Sequence, residues 1–226
     1  MKKHPKTNLE FIKKIPIFEN LCSENIDDIL ALSTIFNVKK NKLLFFKDEE
    51  VKNFHIILKG SAILYENTVN GHLNVIQFLD QGEIIGDIFA KNFVFNALSN
   101  EDSLIMLIPV KLIHELVKNN QTFCSNLLKE ISSKNREVLN LLSRIKVFDA
   151  KQRVARFLLS IAFEGEDKLM NARLDYGKSI IASYLNIQPE TFSRILQKFK
   201  KDGEIEMKKN LLKLKKEDSL LRYLKQ

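Results

Sequence analysis

The stretch from Lys178 to Gly203, KSIIASYLNIQPETFSRILQKFKKDG, constrains the fold more tightly than any other in the chain. Ile181, Ala182, Leu185 and Ile187 give an apolar seam to a short helix, and Phe192, Ile195, Leu196 and Phe199 continue it at helical spacing on a second. Two helices patterned in this way share one core. Between them Leu185-Asn186-Ile187 has the length of a helix-turn-helix turn, and Asn186 stands where a left-handed backbone is needed, which Asn tolerates better than most residues. Pro189 suits the first turn of the second helix, where a missing N–H costs nothing.

With those four residues inward, the opposite face of the second helix carries Glu190, Thr191, Ser193, Arg194, Gln197, Lys198 and Lys201. Glu190, Arg194 and Lys198 stack at successive helical turns. Arg194 can donate two hydrogen bonds to guanine O6 and N7, Glu190 can accept from cytosine N4, and Ser193 can reach a base edge or a phosphate. The competing reading is a solvated face with an intrahelical pair between Glu190 and Arg194. Charge separates the two. From Lys146 to Gln226 the chain has 18 Lys and Arg against 11 Asp and Glu, so +7 of the total +8 lies in its C-terminal third. Charge spread only for solubility would not concentrate around one motif, whereas phosphate attraction requires it there.

Gln188-Pro-Glu-Thr-Phe-Ser-Arg-Ile-Leu resembles the recognition helix of the CRP/FNR transcription regulators, whose usual form is Ser/Thr-Pro-Glu-Thr-hydrophobic-Ser-Arg. Gln188 departs from it at the helix N-cap, where a weaker cap follows. The Glu-x-x-Ser-Arg pattern resembles the FNR-like branch, which implies half-sites related to TTGAT, read as an inverted repeat by a dimer through Glu190, Ser193 and Arg194. Lys178, at the start of the first motif helix, is placed for a phosphate. Beyond Gly203, Glu-Ile-Glu-Met-Lys-Lys-Asn-Leu-Leu-Lys-Leu reads as a small hairpin or wing with Lys208 and Lys209 at its tip, also suited to phosphates. Leu174 is expected to start a strand on the approach to the motif.

The chain begins with short helical segments. Leu9, Ile12, Ile15, Ile17 and Phe18 precede a helix that starts near Ser23 and presents Ile26, Ile29, Leu30 and Leu32. From about Phe36 the pattern changes to short strands at 43–46, 54–58, 61–65, 72–79 and 104–108. Asn70-Gly71 is a hairpin marker, because both central positions of a type I′ turn need positive φ. Such strands predict a barrel or roll. Leu58-Lys-Gly60-Ser-Ala-Ile-Leu and Gln81-Gly-Glu-Ile-Ile-Gly86-Asp resemble the β-roll effector domain of the same family, so the resemblance spans essentially the whole chain.

In the cyclic-nucleotide binders of that family, a Gly-Glu after a tight turn contacts the ribose and an Arg several residues later holds the phosphate. Here the matching stretch begins at Gly86-Asp87, and no Lys or Arg stands between 92 and 110. A buried phosphate without a cation is costly, so cyclic AMP is not the expected effector. Phe89, Phe93, Val94 and Phe95 occupy the segment instead, either as core packing or as the wall of an apolar pocket. The second reading suits haem, as resemblance to the cysteine-poor nitric-oxide-responsive branch implies, with His55, His72 and His114 as the candidate axial ligands besides His4. An iron–sulfur cluster is not expected, since an N-terminal cysteine cluster is missing.

A long helix is predicted from Gln121 to Ile145. Cys124, Leu128, Ile131, Asn135, Val138, Leu142 and Ile145 recur in alternating steps of four and three, the seam of a two-stranded coiled coil, with Asn135 able to pair with its symmetry mate. This predicts a homodimer; the alternative is a monomer whose helix only covers the roll. Phe148-Asp149-Ala150 looks like a hinge. The expected architecture is α+β: a β-roll effector domain over 1–120, a dimerisation helix and hinge over 121–147, and a winged helix-turn-helix over 148–226.

Other classes fit less well. Cys22 and Cys124 are the only cysteines, too few for a disulfide framework or a four-thiolate site. The histidines are scattered with no His-x-His pair, which argues against a metal-dependent β-roll enzyme, and no phosphate loop or nucleophile motif is present. No apolar run approaches 18 residues, and Lys2-Lys3-His4-Pro5 leads into no signal-peptide core, so a cytoplasmic protein is expected. The resemblance implies a regulator that recruits or blocks RNA polymerase at a palindromic promoter site.

Overall fold

A computed structural model describes residues 9–68, 73–85, 89–165, 169–215 and 217–223. The chain forms two compact units, 1–137 and 138–226.

In the first unit, helices α1 (Leu9–Lys13) and α2 (Ser23–Leu32), with a 3-10 turn over Pro16–Phe18, precede eight strands. These are β1 (Thr34–Val38), β2 (Leu43–Phe45), β3 (Asn53–Lys59), β4 (Ala62–Asn67), β5 (Leu73–Leu79), β6 (Ile84–Ile85), β7 (Asn96–Ser99) and β8 (Ser103–Pro109). They form two antiparallel sheets with orders β1-β8-β3-β6 and β2-β7-β4-β5. Alternation along β3 explains how one strand serves two cores. Phe54, Ile56 and Leu58 join Met106 and Ile108 against the helices, while Ile57 and Ile105 turn to the interior between the sheets with Phe45, Leu79, Ile85, Phe93 and Ala97.

Turn chemistry follows the sequence closely. Gly60 links β3 to β4 at φ 91, and a Cβ there would sit 2.3 Å from Ser103 Oγ, so both its conformation and its space exclude a side chain. Strands β4 and β5 pair as an antiparallel hairpin, although Asn70-Gly71 itself falls outside the described residues. Gly82 adopts φ 90 in the turn between β5 and β6. There Glu83 Oε2 accepts from the Asp80 N–H at 2.8 Å, and Glu83 Oε1 accepts from Lys134 Nζ. Burial alone would lower the pKa of the Lys134 ammonium, but the Glu83 and Glu137 carboxylates reverse that and hold it raised.

Helix α3 (Val110–Asn119) leads into α4 (Gln121–Val147), two residues longer than the predicted helix. Phe123 and Leu127 of α4 pack into the helix-side core, and Asn126 donates to the Glu19 carbonyl at 2.7 Å. Cys22 is exposed and Cys124 half-buried, both free thiols. Leu32 is exposed rather than packed.

In the second unit, α5 (Ala150–Ser160) starts on a reciprocal cap: Asp149 Oδ1 accepts from the Gln152 N–H at 2.8 Å and Gln152 Oε1 accepts from the Asp149 N–H at 2.9 Å. The expected hinge at 148–150 therefore ends in a well-capped helix. Strands β9 (Ala162–Glu164) and β10 (Met170–Arg173) come next, then α6 (Lys178–Tyr184), α7 (Pro189–Lys201), β11 (Ile205–Lys208), β12 (Leu211–Leu214) and α8 (Glu217–Arg222). The strands form one sheet of order β11-β12-β10-β9. Leu174 does not start a strand as expected. It follows β10, its side chain is buried, and its N–H donates to the Asn210 carbonyl at 2.8 Å, which turns the chain toward α6.

Candidate nucleic-acid interface

Helix α6 ends as its sequence requires. Asn186 takes φ 52, the Ile187 N–H donates to the Ala182 carbonyl at 3.0 Å and the Asn186 N–H to the Ser183 carbonyl at 2.9 Å, closing the helix in a Schellman motif. Pro189 opens α7, and Gln188 at the N-cap makes no side-chain capping bond. At the other end Gly203, at φ 69, closes α7 with the same pair of bonds. Phe192, Ile195, Leu196 and Phe199 are buried, as are Ile181, Ala182 and Leu185, so the two helices share the core that their spacing predicts.

Beneath α7, Lys151 Nζ of α5 donates to Tyr223 Oη and lies 4.2 Å from the centre of that ring and 5.4 Å from Phe199. Tyr223 in turn donates to Glu204 Oε1 at 3.3 Å. This cluster ties the first helix of the unit and its C-terminal end to the end of α7.

The remaining face of α7 is open. Glu190, Arg194, Gln197, Lys198 and Lys201 are exposed, and Thr191 and Ser193 are half-buried. Among the described residues no ion pair joins Glu190 to Arg194, so the guanidinium fork and the carboxylate are both available. Lys178 is exposed at the start of α6. Lys208 ends β11, and Lys209 occupies the first position of the two-residue turn to β12 at φ 56, so both stand exposed at the tip of a hairpin. One polar helix face, a basic helix start and a basic hairpin tip therefore belong to the same compact unit, which is the arrangement a winged helix-turn-helix uses on DNA.

Residues 152–223 match the Crp-like helix-turn-helix domain, and residues 35–120 match the cyclic nucleotide-binding domain. The chain belongs to the CRP/FNR family of transcription regulators. It is a DNA-binding regulator and not an enzyme. It is 28% identical over 194 residues to electron transport regulator A of Shewanella oneidensis, a match spanning 82% of this chain and 75% of that protein. It is 22% identical over 188 residues to the fumarate and nitrate reduction regulatory protein of Escherichia coli, spanning 81% and 75%. The solved structure of FixK2 from Bradyrhizobium japonicum shares the fold with a TM-score of 0.75 at 18% identity, covering 84% of this chain and 96% of that one.

Among the described residues, the candidate effector residues Phe89 and Phe93 have different surroundings. Gly86 and Asp87 lie outside the described residues, as does His72. Phe93 is core: its ring stacks on Phe45 with centroids 3.6 Å apart, inside the roll. Phe89 is 64% exposed and stacks on the exposed His114 of α3 at 5.8 Å. Val94 is exposed and Phe95 half-buried. Farther along the chain, Glu101 accepts from Ser61 Oγ at 2.8 Å and Asp102 pairs with Lys39 at 2.6 Å.

His55 is buried against Phe45 and Phe93, at 5.1 and 5.8 Å between ring centroids, with no hydrogen-bond partner for Nδ1. Burial pushes its pKa down to about 4, a backbone hydrogen bond to Asn53 and the charge of Glu49 offsetting only part of the shift. A macrocycle could reach His55 only by displacing the rings of Phe45 and Phe93, whereas His114 is exposed on α3 beside Phe89.

Proposed function

We propose that this regulator acts as a homodimer that reads an inverted repeat of TTGAT-like half-sites and recruits or blocks RNA polymerase from that site. The observation that carries the reading is the open polar face of α7, where Glu190, Ser193 and Arg194 stand as the base-reading set with Thr191 beside them. Lys178, Lys198, Lys208 and Lys209 hold phosphates and fix the register.

The dimer rests on α4. Leu128, Ile131, Val138 and Leu142 are 62%, 49%, 53% and 50% exposed, with exposed Asn135 among them. Heptad-spaced apolar residues left in water are stabilised by a second identical helix, and Asn135 then faces its symmetry mate and fixes the register. The side chain of Ile145, the last position of the seam, lies outside the described residues. Cyclic AMP is not the effector in this reading, because the stretch from 92 to 110 supplies no Lys or Arg to hold its phosphate.

Binding of the full chain to a TTGAT inverted repeat, followed by salt titration, tests the assignment. Arg194→Ala should cost about 1–3 kcal/mol and relax preference at one base pair, whereas Lys208→Ala should weaken all sequences alike and reduce the salt slope by about one. Arg194→Ala binding the best site as tightly as wild type would mean that α7 is not the reading helix.

A further inference from the structure

The buried residues of α7 fix where its outward face is centred, and Gln197, outside the base-reading triplet, lies nearer that centre than Ser193 of the triplet does. At about 100° per residue, Phe192, Ile195, Leu196 and Phe199 define an inward direction. Arg194 and Gln197 then sit about 30° to either side of the outward direction, whereas Ser193 and Lys198 are each about 70° away. Burial agrees, since Gln197 is exposed while Ser193 is half-buried. Gln197 is therefore more central on the open face than a residue already assigned to base reading.

Its chemistry suits the place. Among the described residues no protein group hydrogen-bonds the Gln197 amide. A Gln amide matches adenine with two bonds, Oε1 accepting from N6–H and Nε2 donating to N7. Along the helix axis Gln197 lies about 4.5 Å beyond Arg194 at a rise of about 1.5 Å per residue, and successive base pairs are about 3.4 Å apart. We propose that Gln197 is a specificity-determining residue that reads an adenine one base step from the guanine read by Arg194. The proposal rests on the DNA-reading role of α7.

The bland alternative is a solvated glutamine on a helix surface. Selection of bound sequences from a randomised double-stranded DNA pool by the full chain, and by its Gln197→Ala and Arg194→Ala variants, separates the two. Neither substitution touches the core, so both variants fold. Gln197→Ala should lose about tenfold of its preference for adenine at a single position adjacent to the one that Arg194→Ala relaxes, with the rest of the profile retained. A Gln197→Ala profile identical to wild type, or a uniform weakening on all sequences as from a lost phosphate contact, overturns the proposal while leaving Arg194 as a reader. An Arg194→Ala profile that is also unchanged removes the reading role of α7 itself, and Gln197 falls with it.

Discussion

His55 sits in the interior of the roll with its Nδ1 unpaired, and that single side chain gives the effector unit an acid sensitivity. An unfolded histidine titrates near 6.5, whereas burial holds this one at about 4. The unfolded chain therefore binds a proton between those values that the folded chain does not, and stability falls as the pH drops through that window. At pH 5 the loss attributable to His55 is about 2 kcal/mol relative to pH 8. Urea unfolding of the wild type and of His55→Gln across pH 8 to 5 measures it, because the variant lacks the loss. A flat difference between the two would mean that the imidazole is not buried as described. His55 also shows the limit of sequence reading at this scale. It alternates within an apolar strand, which fits a core residue as well as a ligand, and only its packing against Phe45 and Phe93 decides between them. Gly60 is the opposite case: its place between two strand runs marks a turn, and φ 91 follows.

At the scale of elements, helix ends carried the clearest local information. Asn186 and Gly203 terminate their helices in left-handed backbone, where Asn and Gly are the least costly residues. Gln188 is the weak point, an N-cap with no side-chain bond to the first turn of α7. Gln188→Ser should raise the unfolding free energy of the DNA-binding unit by about 0.5–1 kcal/mol by giving that turn an acceptor. Thermal unfolding checks this, and no gain would show that the N–H groups there are already satisfied by water. Strands were legible in proportion to their length and apolar content. The long runs of β3, β5 and β8 stand out, whereas the two residues of β6 and the Asn-Ala-Leu-Ser of β7 do not, because their pairing partners and not their composition make them strands. Leu174 illustrates the same point, an apolar residue that looks like the start of a strand and instead follows one.

For the whole molecule, the proposed homodimer turns on the exposed stripe of α4. Ile131 and Leu142 lie on it, and Glu at both positions would set like charges against each other across a symmetric coiled coil. The double variant Ile131→Glu, Leu142→Glu should sediment as a monomer with its helical content retained and lose the advantage of an inverted repeat over a single half-site. A variant that remains a dimer would place the subunit contact elsewhere. The α+β class, the order of roll, long helix and helix-turn-helix, and the polar face of α7 were legible before any packing was known, because helical and strand periods, turn residues and charge distribution are local properties. Packing alone decided that Phe93 is core while Phe89 is surface, and that Glu83 holds Lys134. Each of these depends on which distant residues arrive on the other side of a side chain, and no local period encodes that.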